Sequence, residues 1–152
     1  KGAIPAVMLL ALAYSVNALS SQMGTANYII NMTEGLLTPH LLPAIIFLVS
    51  AVMAFATGSS WGTFAICMPI ALPLAFNFTG GTLTILVIAS FAAVAGGGVF
   101  GDHCSPLSDT TVLSSTGAAA DHIDHVKTQL PYALVCGALA MAAYLVVGFC
   151  FV

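Results

Sequence analysis

The stretch GDHCSPLSDTTVLSS, residues 101–115, holds two of the chain's five acidic residues, Asp102 and Asp109, among serines, threonines, His103 and Cys104. Asp109 is flanked by Ser108, Thr110 and Thr111. A carboxylate with neighbouring hydroxyls is a hard-oxygen set, suited to a small hard cation such as Na⁺. A carboxylate withdrawn from water also holds its proton more tightly. One such group takes Na⁺ or H⁺ but not both, and that competition couples two ion fluxes in opposite directions. Asp109 is therefore the expected Na⁺ ligand, with Ser108, Thr110 and Thr111 adding oxygens. Pro106 and the triple Gly96–Gly97–Gly98 argue against continuous helix here, so backbone carbonyls are expected to be free to join.

A second polar cluster, TGSSWGT at 57–63, supplies Thr57, Ser59, Ser60 and Thr63. Its GSSWG core matches the G-x-S-x-G pattern of a nucleophile elbow, with Ser60 central. Asp102 or Asp109, then His122 or His125, follow in the order Ser, Asp, His. That chemistry needs a strand–turn–helix, whereas the run before Gly58 is apolar and rich in Ala and Met. An intramembrane serine hydrolase is thus the distant alternative. The better reading is a helix break whose hydroxyls and half-helix N-terminus face a ligand. Trp61 is assigned to packing at that break.

Plainer roles compete at several positions. Asp102, just before a proline-containing turn, fits a turn-stabilising aspartate. Asp109 fits a cap on a half-helix starting at Thr110. His122 and His125, beside Asp121 and Asp124 in the most hydrophilic segment, read as a solvated helix face. Adjacent His103 and Cys104 point apart and make no metal site. The four cysteines, Cys67, Cys104, Cys136 and Cys150, include no C-x-x-C pair and read as packing residues. No cofactor is expected.

What must position these groups is a membrane domain. The chain is 60% hydrophobic and 5% charged, against roughly 25% charged in soluble domains. The apolar runs recur along its whole length, which a signal peptide does not explain. Two lysine or arginine residues in 152 leave no basic patch for nucleic acid. The expected fold is all-α and polytopic, with spans near 4–20, 41–56, 64–78, 83–100 and 131–152, and break motifs at 57–63 and 101–116. The whole of 1–152 is read as one transmembrane domain. Thr38–Pro39 is a helix start, with Thr as N-cap and Pro in the first turn. The third run carries Pro69 and Pro73, each removing an amide donor. Short, interrupted apolar segments are the sequence mark of a transporter's binding site, since unpaired backbone is tolerated at membrane depth only where it is buried in protein or lines a cavity. Lys1 and Lys127 fall on one, cytoplasmic, side by the positive-inside rule. Because residue 1 is Lys and apolar runs lie at both ends, the chain reads as a piece of a longer protein.

With these residues in view, the chain resembles the NhaC-type sodium/proton antiporter family. The resemblance rests on FATGSSWGTFAICMPIALPLA (55–75), GGGVFGDHCSPLSDTTVLSS (96–115) and DHIDHVKTQLPYAL (121–134), which occur in the family's order. It implies the C-terminal half of a secondary transporter built on inverted repeats, with broken helices and re-entrant hairpins meeting near the bilayer centre. It implies alternating access, multi-pass insertion in the cell's inner (plasma) membrane, and an N-terminal half of the same protein as partner. It also assigns Ser108–Thr111 and Gly58–Thr63 to the ion and substrate site, with Asp102 as a second carboxylate near the pathway. The expected partners are Na⁺ and H⁺ as cargo, the lipid bilayer and, in a homo-oligomer, a second copy. Some members of the family resemble exchangers of organic acids or amino acids, which is the alternative cargo.

Overall fold

The computed structural model describes residues 38–152, with isolated positions 11, 15, 18, 19, 22–24 and 28 before them. The span expected near 4–20 lies outside the described residues. Among these, all regular structure is helical. A single 3₁₀ turn, Pro39–Leu41, leads into α1 (Leu42–Thr57), then α2 (Ser60–Phe78), α3 (Ile85–Cys104), the short α4 (Asp109–Gly117) and α5 (His122–Phe151). Four of these helices, counting the 3₁₀ turn with α1, are long and apolar enough to cross a membrane. The chain is thus an all-α, multi-pass membrane protein.

Where the structure departs from sequence expectation, the reason is local. Thr38 is extended and makes no side-chain cap, while Pro39 opens a 3₁₀ turn. The triple glycine does not break α3, which continues to Cys104. Gly97 and Gly101, one helical turn apart, instead let α3 lie against α1. A Cβ on Gly97 would strike the Phe47 carbonyl oxygen and one on Gly101 that of Ala51. Hydrocarbon gives no hydrophobic drive to helix pairing, so close backbone approach through small residues supplies the packing. Ala51 and Ala54 on α1 and Ala93 on α3 are buried in this seam's neighbourhood. Pro69 and Pro73 likewise sit inside a continuous α2. At 19 residues and 1.5 Å per residue, α2 is about 28 Å long, close to the hydrocarbon thickness.

The breaks are shorter than the motifs. Between α1 and α2 only Gly58 and Ser59 leave helical geometry, and between α3 and α4 only residues 105–108 do. The core lies among α1, α2 and α3, with Leu42, Phe47, Cys67, Leu74, Leu86 and Val94 at its centre. The Phe47 ring stands 5.9 Å from Phe100 and 5.3 Å from Tyr144 of α5, tying the last helix to that core. The rest of α5 is largely uncovered, with Val135, Leu139 and Phe149 more than 60% exposed. Such an apolar face belongs against lipid or more protein.

Candidate functional site

The α1–α2 break is set by Gly58. Its φ is +66°, and it caps α1 by donating its amide to the Ala54 carbonyl. Only glycine adopts that backbone without strain. Glycine is needed for a second reason. A Cβ here would lie 2.7 Å from the Leu107 carbonyl carbon and 2.9 Å from the Ser108 amide nitrogen. The first break therefore packs directly on the second. Ser105 fastens them. It is fully buried, and its hydroxyl donates to the Phe55 carbonyl at 2.8 Å, one of the oxygens that the end of α1 leaves without a helical partner.

At the second break the carboxylate held within the protein is Asp102, in the last turn of α3. It is 9% exposed. Ser108 Oγ donates to Asp102 Oδ1 at 2.7 Å, and Thr110 Oγ1 donates to Oδ2 at 3.2 Å. Ser108 Oγ also stands 2.7 Å from Thr110 Oγ1 and accepts from the Thr110 amide at 3.1 Å, so it serves as N-cap of α4. Three side chains, from the last turn of α3, the break and the first turn of α4, thus form one closed network around a carboxylate. Among the described residues, no basic side chain joins it. The ion pair among the described residues is the exposed Lys127–Asp124 contact at 3.7 Å. A buried carboxylate is costly to keep charged unless a counter-charge or hydrogen bonds compensate it.

Asp109 is placed differently. It is the first residue of α4 and is exposed in this chain, on the helix end where a negative charge is favoured. Thr111 is buried, with its hydroxyl 3.4 Å from the His103 carbonyl oxygen. The hydroxyls of the first break turn to their own backbone. Thr57 donates to Met53 O at 2.8 Å, Thr63 to Ser59 O at 3.0 Å, and Ser59 Oγ accepts from the Gly62 amide as N-cap of α2. Ser60 is half-buried in the first turn of α2. It follows a helix, so the strand–turn–helix of a nucleophile elbow is not what holds it. Trp61 is 59% exposed and meets Phe64 edge-on, with ring centroids 6.0 Å apart.

The expectation of free carbonyls needs correction at three positions. Asp102 O accepts from the Ser105 amide at 3.2 Å, His103 O from Gln129 Nε2 at 2.9 Å, and Pro106 O from His122 Nε2 at 2.8 Å. Side chains and turn amides have taken the oxygens the break releases. His122 is therefore not a solvated residue. Its Nδ1 also pairs with the buried Ser115 hydroxyl at 3.1 Å, so one imidazole joins the break, α4 and the start of α5. Ser105 and His122 are the positions that sequence reasoning missed. The Ser–Pro pair at 105–106 signals a turn, but nothing local signals a bond to Phe55. The four cysteines are free, Cys67 and Cys104 buried, and the described residues hold no cluster of metal-ligating side chains.

Apolar spans interrupted at adjoining breaks around a buried carboxylate are features of polytopic membrane transporters. The model of the Na⁺/H⁺ antiporter family matches residues 1–149, and the chain belongs to that family. A protein of Haemophilus influenzae named only as uncharacterized is 46% identical over 95% of this chain and 27% of its own length. An arginine/ornithine antiporter of Halobacterium salinarum is 34% identical over 94% of this chain and 28% of its own. A malate-2H⁺/Na⁺-lactate antiporter of Bacillus subtilis is 32% identical over 73% of this chain and 23% of its own. The chain spans about a quarter of the length of these curated relatives. No solved structure matches it.

Proposed function

We propose that the protein exchanges Na⁺ for H⁺ by alternating access, the two ions competing for a carboxylate at the α3–α4 break. The observation that carries this reading is Asp102, buried, bonded to two hydroxyls and with no basic partner among the described residues. Asp102 and the hydroxyls of Ser108 and Thr110 offer the oxygens for the desolvated ion. The C-terminal end of α3, whose last turn carries Asp102, adds the negative end of a helix dipole. Asp109, on the next helix start, is the second carboxylate of the pathway. Its exposed position suits contact with the part of the protein beyond this chain, such as the other half of an inverted repeat. Thr111 and the 57–63 turn support the cluster from either side, and the setting is a cell's inner membrane.

The relatives' names favour a second reading of the cargo. One is named for arginine and ornithine and another for malate and lactate, so an organic solute exchanged against Na⁺ or H⁺ fits the same frame. The test uses the full-length parent in proteoliposomes holding a pH-sensitive dye. An imposed Na⁺ gradient drives proton movement if the first reading holds. Wild type without Na⁺-driven proton flux would refute it and leave solute exchange as the leading reading.

A further inference from the structure

The glycines near the end of α3 do not all serve one purpose. Gly97 and Gly101 admit the backbone of α1, whereas Gly98 admits a ring. A Cβ at Gly98 would strike the Phe64 side chain of α2, so the edge of that ring fills the place a side chain at 98 would take. Asp102 lies four residues further on. Residues four apart share a helix face, one turn or about 5.4 Å from each other. The Phe64 ring and the carboxylate therefore stand on the same face of α3, a turn apart.

That face is closed on one side of Asp102 and open on the other. Phe64 packs against the core of α1, α2 and α3, and Trp61 meets its ring edge-on with centroids 6.0 Å apart. One turn beyond Gly98, toward the start of α3, Val94 is fully buried. A ring and then packed apolar side chains thus follow the carboxylate in that direction. On the α4 side, Thr110 donates to Asp102 Oδ2 at 3.2 Å, is exposed in this chain and lines a crevice of about 570 Å³.

We propose that Phe64 is the seal that keeps the ion site open to one side only. It is a positioning residue, touching no ion and acting through the water it keeps from Asp102. An exchanger that works by alternating access loses its coupling if water reaches the carboxylate from both sides at once, because protons then cross without the counter-ion. An apolar constriction stops water by dewetting. A void beside a carboxylate does the opposite: it is polar, and one water needs only about 30 Å³ of room. The seal also accounts for Gly98, where any side chain would push the ring off the helix. The proposal rests on the antiporter reading and adds what keeps its two ion fluxes coupled.

The test places the full-length protein in proteoliposomes holding a pH-sensitive dye, with a pH gradient imposed and no Na⁺ on either side. Wild type should hold the gradient. Phe64→Ala is expected to dissipate it faster by about tenfold or more, and Phe64→Leu, still apolar and bulky, to restore most of the tightness. Adding Asp102→Asn to Phe64→Ala should stop the leak, which it would not do if the bundle had merely loosened. Should Phe64→Ala fail to assemble, Gly98→Ala, which displaces the ring with a single methyl, is expected to leak in its place. A leaking wild type, a tight Phe64→Ala, a leak that persists when Asp102 is also replaced, or a tight Gly98→Ala would each overturn the proposal. Na⁺-driven proton flux, read on the same vesicles, separates the two readings. Flux in wild type with a tight Phe64→Ala keeps the antiporter and removes the seal. An Asp102-dependent leak without Na⁺-driven flux in wild type keeps the seal and removes Na⁺ as the cargo.

Discussion

Replacing Asp102 by Asn keeps the shape of the side chain and removes its charge. The fold should tolerate this, because Ser108 and Thr110 contact the carboxylate through hydroxyls that can rotate to accept as well as donate. Ion affinity should not. At an ion–oxygen separation of about 2.4 Å and an effective dielectric of about 20, the gross attraction is about 7 kcal/mol. Desolvation of both partners offsets most of it, and interactions with charged groups retain about 1.5–3 kcal/mol net. At 1.4 kcal/mol per factor of ten, the upper figure gives a loss of about 100-fold in Na⁺ affinity. Asp109→Asn is the control. An exposed charge in the first turn of a helix is worth about 0.3–1 kcal/mol, so half-saturating Na⁺ should rise by no more than about fivefold.

The assay is Na⁺-driven proton flux in proteoliposomes, taken across a Na⁺ titration at several pH values. Competition fixes the sign. In wild type the proton displaces Na⁺, so half-saturating Na⁺ rises as pH falls, by up to about tenfold per unit where the proton dominates the site. Asp102→Asn should lose both the high affinity and this slope, and Asp109→Asn should keep them. The assignment fails if Asp102→Asn retains wild-type affinity and slope, or if Asp109→Asn alone abolishes them.

Three further perturbations test the scaffold. Gly58→Ala forces a Cβ into the Leu107–Ser108 backbone and strains a positive φ; a loss of about 1–3 kcal/mol is expected, read as a lower melting temperature in detergent, together with weaker Na⁺ binding. His122→Ala removes the bonds to Pro106 and Ser115 and should speed hydrogen exchange across 105–117, while His122→Gln, able to donate and accept, should restore part of the protection. Gly101→Val drives α3 away from the Ala51 carbonyl and should abolish the monodisperse peak on size-exclusion chromatography, where Ser60→Ala should leave that peak unchanged.

Much of the architecture was readable because composition and break residues speak locally. The apolar runs at 41–56, 64–78 and 83–100 overlap α1, α2 and α3, and the polar clusters straddle the turns at Gly58–Ser59 and 105–108. Gly and Pro do not act as breakers in these spans. In water a triple glycine argues against helix, but in a packed membrane bundle Gly97 and Gly101 are the contact surface for α1. Pro69 and Pro73 ride within α2 because a helix in hydrocarbon has no water to exchange its bonds with, so a missing amide costs less than unwinding.

The proposed preference for Asp102 over Asp109 rests on what local pattern does not carry, for a different reason. Asp109 has more hydroxyl neighbours in sequence, Ser108, Thr110 and Thr111. Neighbours along a helix start, however, radiate outward from its axis. The hydroxyls of Ser108 and Thr110 turn back across the break to the last turn of α3, which is where Asp102 waits. The decisive separation is six residues through a turn containing Pro106, a distance at which nothing in the sequence fixes direction. Ser105 and His122 fix it, one by gripping Phe55 and the other by gripping Pro106. If the site works by exchanging a proton for Na⁺, its selectivity then depends on how rigidly those two residues hold the turn. A loosened turn would admit water and weaken the competition between the two ions. His122→Ala is therefore expected to flatten the pH dependence of half-saturating Na⁺ even though His122 touches neither Asp102 nor its two hydroxyl partners. A His122→Ala protein with wild-type pH slope and unprotected 105–117 amides would show that the turn's order is not what couples the ions.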